Sequence, residues 1–180
     1  MTQAYVLLDR DGVINHDSDE YIKSPEEWNP IEGSLEAIAL LNKHGYKVAV
    51  ITNQSGLSRG FYDEAMLAEM HKKMHQMTKA KGGKIEAIYY CPHGSDDLCD
   101  CRKPKPGLLN RFSKEFNKPL SDVFFIGDKL ADILAAEAAG AKPMLVKTGK
   151  GQNTLNKHPD ISAPIFKNLY DAAKFIISEK

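Results

Sequence analysis

Five short apolar runs separated by amphipathic stretches predict an α/β fold: a parallel sheet covered by helices on both faces. The runs are rich in β-branched and aromatic residues and lack polar alternation, as strands buried on both faces do. The stretches between them are long enough to cross back over a sheet, which parallel pairing requires. A chain of 180 residues buries about 70% of its unfolded surface in a single core, so residues 1–180 are read as one domain.

In order, AYVLLD (4–9) is the first strand. SLEAIALLNKHG (34–45) follows as a helix with Gly45 as its stop signal. KVAVIT (47–52) is the next strand, and residues 63–83 form a helix on which Met66, Met70, Met74 and Met77 recur at core-packing spacing. His71 and His75 share that helix at i, i+4; without a glutamate at HExxH spacing they read as a solvated face. IEAIYY (85–90), a helix over 106–116, DVFFIG (122–127), a helix over 130–140 and PMLVK (143–147) continue the alternation. Residues 147–164 read as a long surface loop before a last helix, LYDAAKFIISEK. Trp28 reads as a pocket-rim residue or a hydrophobic anchor for its loop.

The 24 basic and 24 acidic side chains cancel, which gives no support to nucleic-acid or membrane-surface binding. The first apolar run begins at Ala4 and meets charge at Asp9, too soon for a secretory or membrane-spanning segment. A cytoplasmic monomer is expected.

Polar groups at strand exits carry the chemistry, because ligands of such sheets bind at the carboxyl ends of the strands. The first exit offers Asp9 and Asp11 before Gly12. The second, Thr52-Asn53-Gln54-Ser55-Gly56, offers a hydroxyl and backbone N–H groups suited to an anion. The fourth offers Gly127-Asp128-Lys129, with Asp132 one helical turn on. A lone DxDG reads as a solvated turn. Three exits that deliver Asp9, Asp11 and Asp128 to one edge create repulsion that a hard cation such as Mg2+, or a lysine, must compensate.

DRDGV, TNQSG, RKPKPG and GDKLAD, in this order, resemble the four motifs of the haloacid dehalogenase-type phosphatases. The resemblance implies a Rossmann-like sheet and phosphoryl transfer through an aspartyl-phosphate. It makes Asp9 the nucleophile, Asp11 the general acid and base, Thr52 the hydroxyl that holds the phosphate and Lys103 the cation that neutralises it. Mg2+ would be held by Asp9, the Asp11 carbonyl and Asp128, with Asn53, Gln54, Ser55 and Lys129 towards the substrate. No inserted domain interrupts the motifs, which implies a capless enzyme whose pocket is shaped by residues 16–30 and by the cysteine loop.

That loop holds all three cysteines: Cys91, His93, Cys99 and Cys101 form a C-x-H-x5-C-x-C array. Three thiolates and one imidazole suit tetrahedral zinc, and with no position left open the zinc is read as structural. It would clamp Arg102 and Lys103 over the strand exits. The loop narrows the resemblance to two branches of the family, the heptose 1,7-bisphosphate 7-phosphatases and the histidinol-phosphate phosphatases. The full motif set, with Asn15, Arg59 and the later KTGKG, is more similar to the first; the five residues between His93 and Cys99 resemble the second. A small phosphorylated sugar is the expected substrate, with Arg59 and Arg102 placed for a second phosphate. Two other classes stay open, a phosphoacceptor signalling domain and an inert zinc-binding interaction module. Steady turnover of a phosphate ester separates the enzyme from both.

Overall fold

The structure, a computed structural model, describes residues 3–179. Its strands are β1 (Ala4–Leu8), β2 (Tyr46–Asn53), β3 (Ile85–Cys91), β4 (Phe124–Gly127), β5 (Lys142–Val146) and β6 (Ile165–Phe166). They form one sheet in the order β3-β2-β1-β4-β5-β6, with every pairing parallel. The helices are α1 (Ser34–Lys43), α2 (Glu64–Ala80), α3 (Gly107–Glu115), α4 (Leu130–Ala139), α5 (Gly151–Lys157) and α6 (Leu169–Ser178). The expected strands and helices all form, with ends shifted by up to three residues; Lys180 of the last helix lies outside the described residues.

Alternation along the strands sorts the core into two layers. Val6 and Leu8 of β1, with Val48 and Val50 of β2, pack against Leu35, Ile38 and Leu41 of α1, Met70 and Met74 of α2, and Ala172, Ala173 and Ile176 of α6. Tyr5, Leu7, Ala49, Ile51 and Phe125 point the other way, onto Leu108, Leu109 and Phe112 of α3 and Ala135 and Ala136 of α4. The central strands β1, β2 and β4 therefore bury both faces, the physical cause of their continuous apolar runs.

The strand order places the topological switch between β1 and β4. The connection that leaves β1 for β2 and the one that leaves β4 for β5 run in opposite directions across the sheet, and a crevice opens between them at the carboxyl ends. Asp9 and Asp128 stand at those two exits, on neighbouring strands.

Several expectations are corrected. Residues 147–164 are not one loop: α5 interrupts them and they lead into β6, and the segment folds back onto the β4 exit. Met66 is exposed, whereas Met70 and Met74 are fully buried and Met77 packs against the core. The stripe is therefore three residues wide, Met66 lying in the first turn beyond the covered face. Trp28 is fully buried and acts as the anchor of its loop, whose Pro25 and Trp28 carbonyls accept hydrogen bonds from Lys73 Nζ of α2 at 2.6 and 2.7 Å. His75 is exposed as expected; His71 is buried.

Candidate active site

Asp9, Asp11, Asn53, Gln54, Ser55, Arg102, Lys103, Lys129 and Asp132 line one cavity at the switch point. Its other walls come from Asp17, Ser18, Asp19, Tyr21 and Ile22 of the 16–30 segment, and from Lys150.

Asp9 is buried, and its Oδ1 accepts from its neighbour's backbone, Arg10 N, at 2.8 Å and from Lys103 Nζ at 3.0 Å. Both bonds fall on Oδ1 of a residue that lines the cavity, so neither of these donors occupies Oδ2. Burial pushes the Asp9 carboxyl up to about 6 and the charge of Asp132 adds to the rise, against the pull of Lys103 and Lys129.

Lys103 is almost fully buried, and its ammonium donates to Ile51 O (2.8 Å), contacts Asp132 Oδ1 (2.7 Å) and reaches Asp9 Oδ1. Three donors meet three acceptors, so one geometry is selected. Asn53 fixes the backbone of the same lysine, accepting from Lys103 N and donating to Lys103 O, each at 3.1 Å. Asn53 thus staples the exit of β2 to the basic segment.

Asp132, to which the sequence assigned no role, turns Oδ1 to Lys103 and Oδ2 to the backbone N–H groups of Asp128 (3.1 Å) and Lys129 (3.0 Å). It closes the first turn of α4 and aims the lysine.

Asp128 sits in a cradle of main chain. Gly12 (φ +85°) and Gly149 (φ +58°) approach so closely that a Cβ on either would lie 2.1 and 2.4 Å from Asp128 Oδ2. Only glycine fits there, on both conformational and steric grounds. Oδ2 accepts from Lys150 N at 2.7 Å, and Thr154 Oγ1 donates to the Asp128 carbonyl at 2.9 Å. Oδ1 is buried with no hydrogen-bond partner. Burial pushes this carboxyl up to about 8, with Lys129 opposing and Asp9 adding to the rise.

An orphaned carboxylate oxygen beside a second buried carboxylate fits a hard cation. One oxygen each of Asp9, Asp128 and Asp132 lies within 4.8 Å of the others. Since both Asp132 oxygens are already taken by nitrogen donors, Asp9 and Asp128 are the residues free to hold a magnesium ion, and an all-oxygen set is what it takes.

The four residues of the cysteine loop also converge. Cys91 Sγ lies 3.5 Å from His93 Nδ1 and 3.9 Å from Cys99 Sγ, and Cys101 Sγ lies 3.3 Å from His93 Nδ1 and 3.0 Å from Cys91 Sγ. No disulfide forms. Ligands about 2.0–2.3 Å from a tetrahedral zinc stand roughly 3.5–3.8 Å apart, so the cluster fits that ion. Cys91 closes β3, while Leu98 at the loop's tip is fully exposed. The loop is thus held at its base and has no core of its own.

Asp11 faces a dense set of donors. Arg10 Nε (3.0 Å), Arg10 Nη2 (2.8 Å) and Asn15 Nδ2 (2.8 Å) converge on Oδ1, and Gln54 Nε2 (3.0 Å) reaches Oδ2. Burial raises this carboxyl's pKa, but the Arg10 charge and the Asn15 hydrogen bond outweigh it and hold the group below the usual range. Gln54 is itself fixed, donating to Thr52 Oγ1 at 2.9 Å and accepting from Tyr62 OH at 2.6 Å. Thr52 is fully buried beneath this network.

Cations complete the walls. Lys129 pairs with Asp17 at 3.2 Å and Lys150 with Asp19, both acids from the 16–30 segment. Arg102 Nη1 donates to His93 O at 3.1 Å. Arg59 is not brought into the cavity: its exposed guanidinium lies 5.8 Å from the centroid of Tyr21, and Tyr21 is what lines the wall.

Arg10, His71, Tyr62, Lys150 and Gly149 are the site residues that sequence reasoning passed over. The glycine-rich KTGKG after a strand was the available signal for the last two. Nothing local marks Arg10 as buried.

Residues 6–81 match the haloacid dehalogenase-like hydrolase family, and residues 100–172 match the family described as HAD-hyrolase-like. The chain is 49% identical to the D-glycero-beta-D-manno-heptose-1,7-bisphosphate 7-phosphatase of Pseudomonas aeruginosa, over 98% of this chain and 99% of that one. It is 46% identical to the protein of the same name from Neisseria meningitidis, over 97% and 95%. Its fold superposes with a TM-score of 0.96 on the crystal structure of D,D-heptose 1,7-bisphosphate phosphatase from B. bronchiseptica complexed with magnesium and phosphate, at 43% identity, covering 98% and 99% of the two chains.

Proposed function

Because the chain belongs to the haloacid dehalogenase-like hydrolase family, we propose that it removes the 7-phosphate of D-glycero-D-manno-heptose 1,7-bisphosphate, leaving heptose 1-phosphate, through an aspartyl-phosphate on Asp9. The observation that carries this reading is the pairing of Asp9, a residue of the cavity wall, with the buried cation Lys103. Near-full-length relatives of that name support the substrate.

Asp9 Oδ2 attacks phosphorus, the bond from phosphorus to O7 breaks, and Asp11, which takes up a proton at Oδ2 as the negatively charged substrate enters the cavity, gives that proton to the departing oxygen. Asp11, again a carboxylate, then takes a proton from water as the water oxygen attacks phosphorus and the bond to Asp9 breaks. The ammonium of Lys103 balances charge on the transferring group, where fixed charge in a dry site counts most. When bound by Asp9 and Asp128, magnesium supplies Lewis-acid charge to the phosphoryl oxygens. The four cations Arg102, Lys103, Lys129 and Lys150 around one cavity fit a doubly phosphorylated substrate.

The test is steady-state phosphate release in the presence of Mg2+ from the heptose bisphosphate and from histidinol phosphate. One equivalent of phosphate per bisphosphate, with the 1-phosphate retained, is expected. A higher kcat/KM for histidinol phosphate would overturn the sugar assignment.

The zinc loop separates two effects. Lys103 is anchored by Asn53, Ile51 and Asp132, which do not belong to the loop's ligand set, whereas Arg102 leans on the carbonyl of His93. The clamp expected for both cations therefore acts mainly on Arg102. Cys101→Ser should lose bound zinc and raise KM for the bisphosphate on the order of tenfold, with kcat falling less than about threefold. Zinc content and steady-state kinetics of the purified variant check this.

A further inference from the structure

Arg10 stands between the two site aspartates, yet it is fully buried. A buried guanidinium brings five N–H donors and a charge that must be met. Two donors, Nε and Nη2, meet Asp11 Oδ1. A third, Nη1, lies 3.2 Å from Nε2 of His71, which comes from the middle of α2 and forms the floor of a groove on that helix beside Glu64, His75 and Tyr90. The Arg10 carbonyl accepts from the N–H groups of Val13, Ile14 and Asn15, so the backbone that carries the guanidinium is pinned as well.

The two oxygens of Asp11 are treated differently. Oδ1 receives three donors, two of them charged, and its lone pairs are used up. Oδ2 receives one neutral donor, from Gln54, another residue of the cavity wall. A proton can be exchanged only at Oδ2.

We propose that Arg10 and His71 are positioning residues for Asp11: the imidazole accepts from Nη1, sets the rotation of the guanidinium, and thereby locks Oδ1 in place so that Oδ2 faces the reacting phosphate ester. This rests on the reading of Asp11 as the acid and base of the proposed reaction. The arrangement needs a neutral imidazole with its lone pair on Nε2 and its proton on Nδ1. Burial and the Arg10 charge push the His71 pKa down to about 3, which keeps that lone pair free at neutral pH. A purely structural imidazole would fill space between α2 and β1, and a side chain of like volume would replace it.

His71→Leu keeps most of the volume and removes the acceptor; His71→Gln supplies a carbonyl acceptor. With the heptose bisphosphate and Mg2+, His71→Leu should lower kcat on the order of tenfold with KM unchanged within about twofold, and His71→Gln should recover most of the loss. Single-turnover release of nitrophenolate from p-nitrophenyl phosphate, a leaving group that needs no proton, should fall less than about twofold in His71→Leu. Wild-type kcat in folded His71→Leu would overturn the proposal. So would equal losses in both variants, or a nitrophenolate rate that falls as far as kcat. Failure of the wild-type protein to release phosphate at all would instead sink the assigned reaction, which separates the two claims.

Discussion

Replacing Asp9 by asparagine should reduce phosphate release by at least about 10⁴-fold, to the floor of the assay, because an amide cannot form the covalent phosphoryl intermediate and loss of such a nucleophile is felt at that scale. The substitution is nearly isosteric. Asparagine can still present Oδ1 to Arg10 N and Lys103 Nζ, the two donors that hold the aspartate. The fold should therefore survive, and stability provides a second readout with a definite sign. The folded carboxyl keeps its proton up to about pH 6, against 3.8 without the protein's surroundings. Its ionised form is thus disfavoured by folding, and the group withdraws stability as pH rises through that window. Metal-free Asp9→Asn should consequently melt no lower than the wild type above pH 6, while losing turnover. A variant that is inactive and also melts well below the wild type would show that lost folding, not lost chemistry, explains the rate. Activity within about tenfold of wild type would exclude Asp9 as the nucleophile.

The contrast between what sequence could and could not reveal follows the range of the forces involved. Strands and helices were legible because an apolar run such as Tyr5–Leu8 has one low-energy use, burial on both faces of a parallel sheet, and local turn chemistry marks its ends. The convergence of Asp9 and Asp128 followed from that, since a parallel sheet brings all its carboxyl ends to one edge. Zinc-compatible convergence was legible because the four side chains are close in the chain and their spacing is itself the signal. Arg10 and His71 were not, because they are 61 residues apart and meet only once α2 packs on the sheet. An arginine flanked by two aspartates looks like a solvated turn until its burial is known. The 147–164 segment was misread for a related reason: its short helix has little apolar periodicity, and its place is set by Asp128, which accepts from Lys150 N and, through its carbonyl, from Thr154. Asp132 could not be assigned because its role is to hold a lysine that arrives from another strand exit.

That lysine carries the other large effect. Lys103→Met should cost folding about 3–5 kcal/mol and lower kcat on the order of 10²- to 10³-fold, because it removes one partner of a buried charge cluster while leaving the rest. Asp9, Asp128 and Asp132 are all buried, and Lys103 is the only buried lysine among them. Lys129 is nearer the rim and already paired with Asp17. Methionine can fill the space of the alkyl stem beside Phe125, whose ring centroid lies 5.2 Å from the ammonium, so the loss is one of charge and hydrogen bonds rather than of packing. The pH dependence follows from the shifts. Burial alone would lower the Lys103 pKa, but the charges of Asp132 and Asp9 outweigh it and raise it above its ordinary 10.5, so the lysine stays charged at every pH below that value and its contribution follows the ionisation of its carboxylate partners. Without it the Asp9 carboxyl holds its proton to still higher pH, and the deficit in the variant should shrink as the solution is acidified below about 6, where Asp9 is protonated in any case. Melting curves of metal-free wild type and variant at pH 5 and pH 8 measure the deficit, and single-turnover kinetics at saturating Mg2+ measure the rate. A deficit that is the same at both pH values would mean that the lysine acts through packing alone. A folded Lys103→Met with wild-type kcat would remove it from the transferring phosphate and leave charge balance in the site to Lys129 and the metal.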